Sequence, residues 1–388
     1  MNNTLRRGLP IFAISSNMRA GLILIGPLLP IIKQEYGISV FTESILAAAP
    51  LLCFSLSAIF MGAINKFGNT NRIISYAVTL LTLSLFLRTT FGVASLLIFS
   101  ITLGISVAIL NFMLPVWVKE NENGNAGLLT GIYAAVMGSC AAISLAVTAP
   151  LAELTSLSWR LSMLPWFIIG AATSLWWWIK MPSSSQHEIA EKAPSFWKNP
   201  LFKNSTAWSI TLFFGVLNMI HYASATWLPT ILLTKGFTLV NAGLLVAIAT
   251  LVASLLSLAV PHFASRRKDF RAILVVFSAF LAISYYAISI DSGPRLWLWV
   301  IMANIGVYVT FSLALFLVVF RAENAAVTRS LSIMMQSVGY ILATTSPMIL
   351  GLLFDMSANW EKALYFVVAL ALVQIFVALG AGSAKKVK

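Results

Sequence analysis

The sequence predicts an all-α integral membrane protein with twelve transmembrane helices in two pseudo-symmetric six-helix bundles. Three observations carry that expectation. Of 388 residues, 59% are hydrophobic and 10% charged, and the mean hydropathy of +0.91 is too high for a soluble globular chain. Polar loops cut the chain into twelve apolar stretches of the length that spans a bilayer, about 20 residues. Several landmarks recur at an offset of 199 residues.

Charged residues bracket the stretches in order. The first, Leu9–Ile32, follows Arg6 and Arg7 and is too long for a signal-peptide core. Ser44–Ile64 begins after Glu43, Ile73–Leu87 lies between Arg72 and Arg88, and Ser95–Val118 ends at Lys119. Gly127–Leu151 stops before Glu153, and Leu161–Ile179 lies between Arg160 and Lys180. The longest polar stretch follows, and 181–204 reads as a cytoplasmic linker between an N-terminal bundle, 1–180, and a C-terminal bundle, 205–388. Within the linker, Phe196 and Trp197 beside Lys198 suit an interfacial turn. The second bundle comprises Ser205–Leu233, Ala242–Phe263, Ala272–Ile290, Leu296–Phe320, Ser330–Phe354 and Ala363–Ala381.

With the N-terminus inside, eighteen Lys and Arg fall on the inner side and six, including Arg88 and Arg160, on the outer. Both termini are therefore expected in the cytoplasm of a bacterial inner membrane. The net charge of +13 sits in short loops that orient helices, so the lipid bilayer is the partner it implies and nucleic acid is not. Cys53 and Cys140 lie in apolar segments without a CxxC or a neighbouring His, which makes neither a metal nor a redox site. No cofactor is expected. A monomer is.

The remaining basic residue, Arg19, stands inside the first span, where a charge at the helix centre costs roughly 2.5 to 3.5 kcal/mol on insertion scales. Such a residue faces a bundle interior, a polar cavity or a ligand. Two readings stand: anchor for an anionic substrate, or a structural charge that snorkels or pairs within the protein. No Asp or Glu falls inside a predicted span, which suits anionic cargo.

The offset of 199 places Leu29 on Leu228, Pro30 on Pro229, Gly37 on Gly236 and Arg72 on Arg271. Two halves of like topology are indicated, related by an axis along the membrane normal. The same offset places Arg19 on Asn218, and in a parallel repeat the two would face each other across a central cavity. Arg19 offers a planar donor fork for an oxyanion, and Asn218 an amide that both donates and accepts. An interhelical hydrogen bond is the structural alternative for Asn218. His221 and Tyr222 follow within one turn.

The run Asn17-Met18-Arg19 with Gly26-Pro27-Leu28-Leu29-Pro30, then Trp227-Leu228-Pro229, then Gln336, Gly339 and Tyr340 with Pro347 and Gly351, resembles the cyanate and 2-nitroimidazole transporter family of the major facilitator superfamily. The resemblance spans nearly the whole chain. It implies the major facilitator fold, alternating access between two six-helix bundles, and secondary active transport of a small solute. One departure stands out. After the second span the superfamily's Gly-x-x-x-Asp-Arg/Lys-x-Gly-Arg-Arg reads Gly62-Ala-Ile-Asn65-Lys66-Phe67-Gly68-Asn69-Thr70, without the gating aspartate. Nor does the fifth span carry the Gly-Pro pair of drug antiporters, which disfavours proton-driven drug export.

Polar residues at mid-span are further candidates for the substrate path: Asn111, Tyr133, Asn304, Tyr308, Gln336 and Tyr340, the last two sharing a helix face. Each has packing as its alternative. Pro50, Pro115, Pro150 and Pro347 read as kinks. His221, whose side chain titrates near neutrality, is the candidate proton relay, with packing as its other reading. No Ser-His-Asp set, paired intramembrane carboxylates or metal cluster is present, so no enzyme is expected. The function predicted is secondary active transport of a small anion or polar nitrogen-containing solute with Arg19 as anchor. The alternative is a proton-coupled exporter of amphiphilic drugs such as nitroimidazoles, with Arg19 structural.

Overall fold

The computed structural model describes residues 3–64, 69–121, 126–154, 159–180, 200–264, 268–323 and 325–387. Asn65, Arg266, Arg267 and most of the expected linker, with Phe196 and Trp197, lie outside them. Thirteen α-helices follow one another: α1 Asn3–Ile23, α2 Ile25–Tyr36, α3 Val40–Ile64, α4 Thr70–Leu87, α5 Gly92–Asn121, α6 Ala126–Leu154, α7 Leu164–Lys180, α8 Ser205–Thr234, α9 Leu239–Ala264, α10 Arg271–Ile290, α11 Leu296–Arg321, α12 Ala325–Ser357 and α13 Trp360–Ala381. The first span expected as one helix is two, α1 and α2, bent by 42°. Counted as one, they leave twelve helical segments among the described residues.

Among the described residues, eight helices are each long and apolar enough to cross a membrane, and the bent pair makes a ninth. Helix α8 is not among the eight although it has 30 residues, because Asn218, His221, Tyr222 and several Ser and Thr interrupt it. It is nevertheless buried along most of its length. A helix too polar for lipid and walled in by protein is where a membrane protein places polar chemistry.

The chain groups into two compact units, one of Met1–Gly37 and Phe60–Ala193, the other of Ile38–Ile59 and Pro194–Lys388. Most of α3 therefore packs with the second. In the first unit α1 lies against α6 and α7, and α4 against α5 and α7. Gly21 of α1 brings a bare backbone within reach of Leu85 and Leu103, where a Cβ would stand 3.2 Å and 3.5 Å from their methyls. Asn17, one turn earlier, donates to the Trp166 carbonyl of α7 at 3.0 Å.

Proline explains the break between α1 and α2. Pro27 has no N–H for the Ile23 carbonyl four residues before it, and its ring crowds that carbonyl, which interrupts the helix at Leu24. Past the bend, Arg160, just before α7, fastens the end of α2. Its Nη2 donates to Glu35 at 2.6 Å and to the Tyr36 hydroxyl at 2.5 Å, while its Nε donates to the Thr89 carbonyl at 3.0 Å.

In the second unit α8 packs on α12 and α13, α10 on α11 and α13, and α9 on α11. Gly215 and Gly339 set the α8–α12 crossing: a Cβ on Gly215 would lie 3.5 Å from the Gly339 Cα, and one on Gly339 would lie 2.5 Å from the Phe214 ring. Trp227 Nε1 donates to the Pro347 carbonyl at 3.0 Å, and its ring packs on Trp360 at 5.1 Å. Pro347 withholds a donor from the Ala343 carbonyl, and Ser346 Oγ supplies one at 3.0 Å. The repeat is visible in the backbone as well. Gly37 after α2 and Gly236 after α8 both take positive φ, 62° and 89°, the left-handed geometry that favours glycine at a helix end.

At the end of the second unit where α11 gives way to α12, the C-terminal tail is tied to the loops. Val387 N–H donates to the Arg321 carbonyl at 2.9 Å, and Glu323 N–H donates to the Val387 carbonyl at 3.1 Å. Arg321, buried, donates to the Lys268 and Gly382 carbonyls and lies over the Phe270 ring at 4.9 Å.

Candidate functional site

In the second unit the Gly215–Gly339 crossing brings the polar stretch of α8 against α12. One turn beyond Gly215 sits Asn218, 1% exposed. Its Nδ2 donates to the Phe214 carbonyl of its own helix at 2.7 Å, and its Oδ1, also buried, accepts no hydrogen bond among the described residues. A buried amide oxygen left unmatched costs about 1 to 3 kcal/mol, so a donor brought by a ligand would be welcome there.

Aromatic rings gather around this turn. His221 meets Tyr222 at 4.9 Å and Tyr308 of α11 at 5.7 Å, both edge-on. Tyr340 of α12 lies 6.3 Å from Tyr222 and 5.7 Å from Phe214, and Phe54 of α3 stacks on it at 5.2 Å with planes 26° apart. Ser55 Oγ holds α3 there by donating to the Ser337 carbonyl at 3.0 Å. Such a group presents ring faces and edges, two hydroxyl-bearing tyrosines that are half-buried, and one amide. It suits a small planar solute with polar edges.

The structure unites His221, Tyr222, Tyr308 and Tyr340 beside Asn218. Gln336 lies half-buried one turn before Tyr340. Asn304 does something else: its Nδ2 donates to Val300 of its own helix at 2.9 Å, and its Oδ1 meets Thr250 of α9 at 3.5 Å. Arg19, Asn111 and Tyr133 belong to the first unit, half-buried on α1, α5 and α6. Sequence reasoning missed Phe54 and Phe214. Rings inside apolar segments carry no signal of their own.

Arg88 requires a correction. Expected in an outer loop, it is 2% exposed and donates from Nη1 to the Gly21 carbonyl at 2.9 Å. The long side chain turns back from the end of α4 into the bundle instead of reaching water. Glu43 is likewise buried, in the first turn of α3. Asn69, which replaces the motif's arginine, serves as N-cap of α4 and accepts from the Arg72 N–H at 3.0 Å. Among the described residues no group of three or more His, Cys, Asp or Glu comes together as metal ligands would.

A family model for the Major Facilitator Superfamily matches residues 11–344. The chain belongs to this superfamily. The 2-nitroimidazole transporter of Escherichia coli (strain K12) is 28% identical over 97% of this chain and 95% of its own length. The cyanate transport protein CynX of the same organism is 25% identical over 91% of each chain. An uncharacterized transporter of Bacillus subtilis (strain 168), YycB, is 27% identical over 96% of this chain and 92% of its own. Among solved superfamily folds, a bacterial homolog of the human lysosomal transporter Spinster superposes with a TM-score of 0.82 at 15% identity, covering 98% of this chain and 97% of that one. The D-xylose-proton symporter does so at 0.78 and 13% identity, covering 98% and 99%. The protein is thus a multi-pass membrane transporter rather than an enzyme, and the superfamily fold anticipated from its motifs is the one it has. Part of the motif resemblance is packing: Trp227, Pro347 and Gly351 meet one another, a Cβ on Gly351 standing 3.2 Å from the Trp227 ring.

Proposed function

We propose that the protein is a secondary active transporter of a small, flat, anionic or nitrogen-containing solute, working by alternating access in a bacterial inner membrane with both termini cytoplasmic. The observation that carries this reading is the ring cluster one turn along α8 from Asn218, whose buried Oδ1 is unmatched among the described residues. Tyr222, Tyr308 and Tyr340 hold the organic body of the solute, Asn218 bonds its polar edge, and Gln336 lies one turn from Tyr340. In the first unit Arg19 meets the negative charge, and Asn111 and Tyr133 flank the path. Arg19 suits that role because its side chain is half-buried on a bent span, between the Asn17 tie and the Gly21 crossing. The relatives named for 2-nitroimidazole and cyanate, one a planar nitrogen ring and one a small anion, fit the two halves of this description.

A thermal-shift screen of small carboxylates, cyanate, nitrate and nitroimidazoles on the purified protein tests it. Stabilisation by an anion that is lost in both Arg19→Ala and Asn218→Ala is the expected result. Wild-type uptake by Arg19→Ala would remove Arg19 from the reading.

A second reading rests on the same rings: proton-coupled export of amphiphilic drugs such as nitroimidazoles, with Arg19 structural and His221 carrying the proton. It calls for uptake into inverted vesicles driven by an imposed pH gradient and abolished in His221→Gln.

A further inference from the structure

At the bend of the first span, backbone carbonyls just beyond Arg19 accept hydrogen bonds from side chains of neighbouring helices. Ala20 accepts from the Leu24 N–H at 3.2 Å and from Ser144 Oγ of α6 at 3.3 Å. Gly21 accepts from Arg88 Nη1 at 2.9 Å. On the other side of Arg19, Asn17 is tied to α7 through the Trp166 carbonyl. The turn that carries Arg19 is therefore held by α4, α6 and α7.

Of these ties, the one from Arg88 spends the most. Its guanidinium is buried, its Nε finds no partner among the described residues, and burial pushes its pKa down to about 10. A charge taken this far out of water needs compensating interactions, and here a carbonyl at the end of a broken helix, where the negative end of the dipole lies, supplies one. The repeat provides an internal control. At the offset of 199, Pro27 becomes Thr226 and Arg88 becomes Ala287, and α8 runs without a break from Ser205 to Thr234. Pro30 does not account for the break, because its counterpart Pro229 lies inside the continuous α8. The helix-breaking proline and the arginine that donates to the Gly21 carbonyl just before the break are present together in one unit and absent together in the other.

We propose that Arg88 is a positioning residue for Arg19: by donating to the Gly21 carbonyl it fixes the bend in the first span, and with it the direction in which Arg19 presents its guanidinium. The inference rests on Arg19 being the substrate anchor for its kinetic consequence alone. Its structural half stands apart from that reading.

Two measurements test it in the full-length protein. Spin labels at Lys33→Cys on α2 and Leu175→Cys on α7, in a Cys53→Ala and Cys140→Ala background, report the bend as a distance. Arg88→Met and Pro27→Thr are expected to shift or broaden that distance, and Arg88→Lys, which keeps a donor, to preserve it. Uptake of the anion identified by the thermal-shift screen gives KM and kcat. Arg88→Met is expected to raise KM about tenfold or more while kcat moves far less, as a misplaced binding group does, with Arg88→Lys recovering most of the loss. An unchanged distance, or an unchanged KM, in folded Arg88→Met overturns the proposal. If Arg88→Met does not accumulate in the membrane, Pro27→Thr is read in the same two ways with the same outcomes. Wild-type uptake by Arg19→Ala instead overturns the anchor, and the spin-label distance then decides the role of Arg88 alone.

Discussion

In the first unit the span that carries Arg19 breaks at Leu24, whereas in the second unit the equivalent helix passes Asn218 and continues to Thr234 without interruption. The equivalent stretches differ at most positions, and three of the differences bear on the break. Pro27 and Gly21 on one side stand against Thr226 and Ile220 on the other, and Arg88 against Ala287. Two copies of one architecture have diverged into a bent helix bearing a charge, gripped from outside through its backbone, and a straight helix bearing an amide among rings. Under the function proposed above, the first arrangement would meet charge and the second shape.

Exchanging these features between the units sharpens the contrast. The largest effect is expected from Thr226→Pro, which frees the Tyr222 carbonyl inside α8 with no arginine at the position of Arg88 to hold the broken turn. A loss of about 3 kcal/mol should appear as a lower thermal midpoint, whereas Pro27→Thr should cost far less. Gly339→Ala comes next. Its new Cβ meets the Phe214 ring, and overpacking of this kind costs roughly 1 to 3 kcal/mol and should disturb Asn218 and Tyr340 together, lowering both stability and any solute-induced shift. Asn304→Ala is expected to cost about 0.6 kcal/mol through its contact with Thr250, and to leave the solute-induced shift at its wild-type size. A lost shift would instead place Asn304 among the ligand groups. The smallest effect belongs to the ion pair of Arg160 with Glu35. At this exposure Glu35→Gln should change stability by about 0 to 1 kcal/mol, and the difference from wild type should vanish in high salt or on acidification, when the carboxylate takes up a proton.

Spans, their number and the repeat were legible because each depends on composition over many residues, and a window of 20 apolar side chains survives local exceptions. The bend was not. Pro27 and Pro30 look alike in sequence, and only the folded backbone shows that the helix breaks ahead of Pro27 and that Arg88 donates to Gly21 there. Arg88 was misplaced for a related reason: counting basic residues at span ends assumes that each reaches water, whereas a long side chain can turn back toward a backbone acceptor. In the candidate site His221, Tyr222, Tyr308 and Tyr340 announced themselves as polar groups in apolar segments. Phe54 did not, since a phenylalanine in a membrane helix serves lipid, core and ligand equally well, and its place beside Tyr340 depends on α3 packing with the second unit. Asn304 shows the converse, a polar residue whose contacts in the structure are Val300 of its own helix and Thr250 of α9.

The short tail after α13 is stitched by Val387 to the Arg321–Glu323 turn, and Arg321 in turn grips Lys268 and Gly382. Three helices, α10, α11 and α13, thereby share one suture at that end, made of main-chain bonds at Val387 and of the side-chain donors of Arg321. In the alternating access proposed above, that corner would travel as a block, and a rearrangement of the second unit would be taken up elsewhere along its helices.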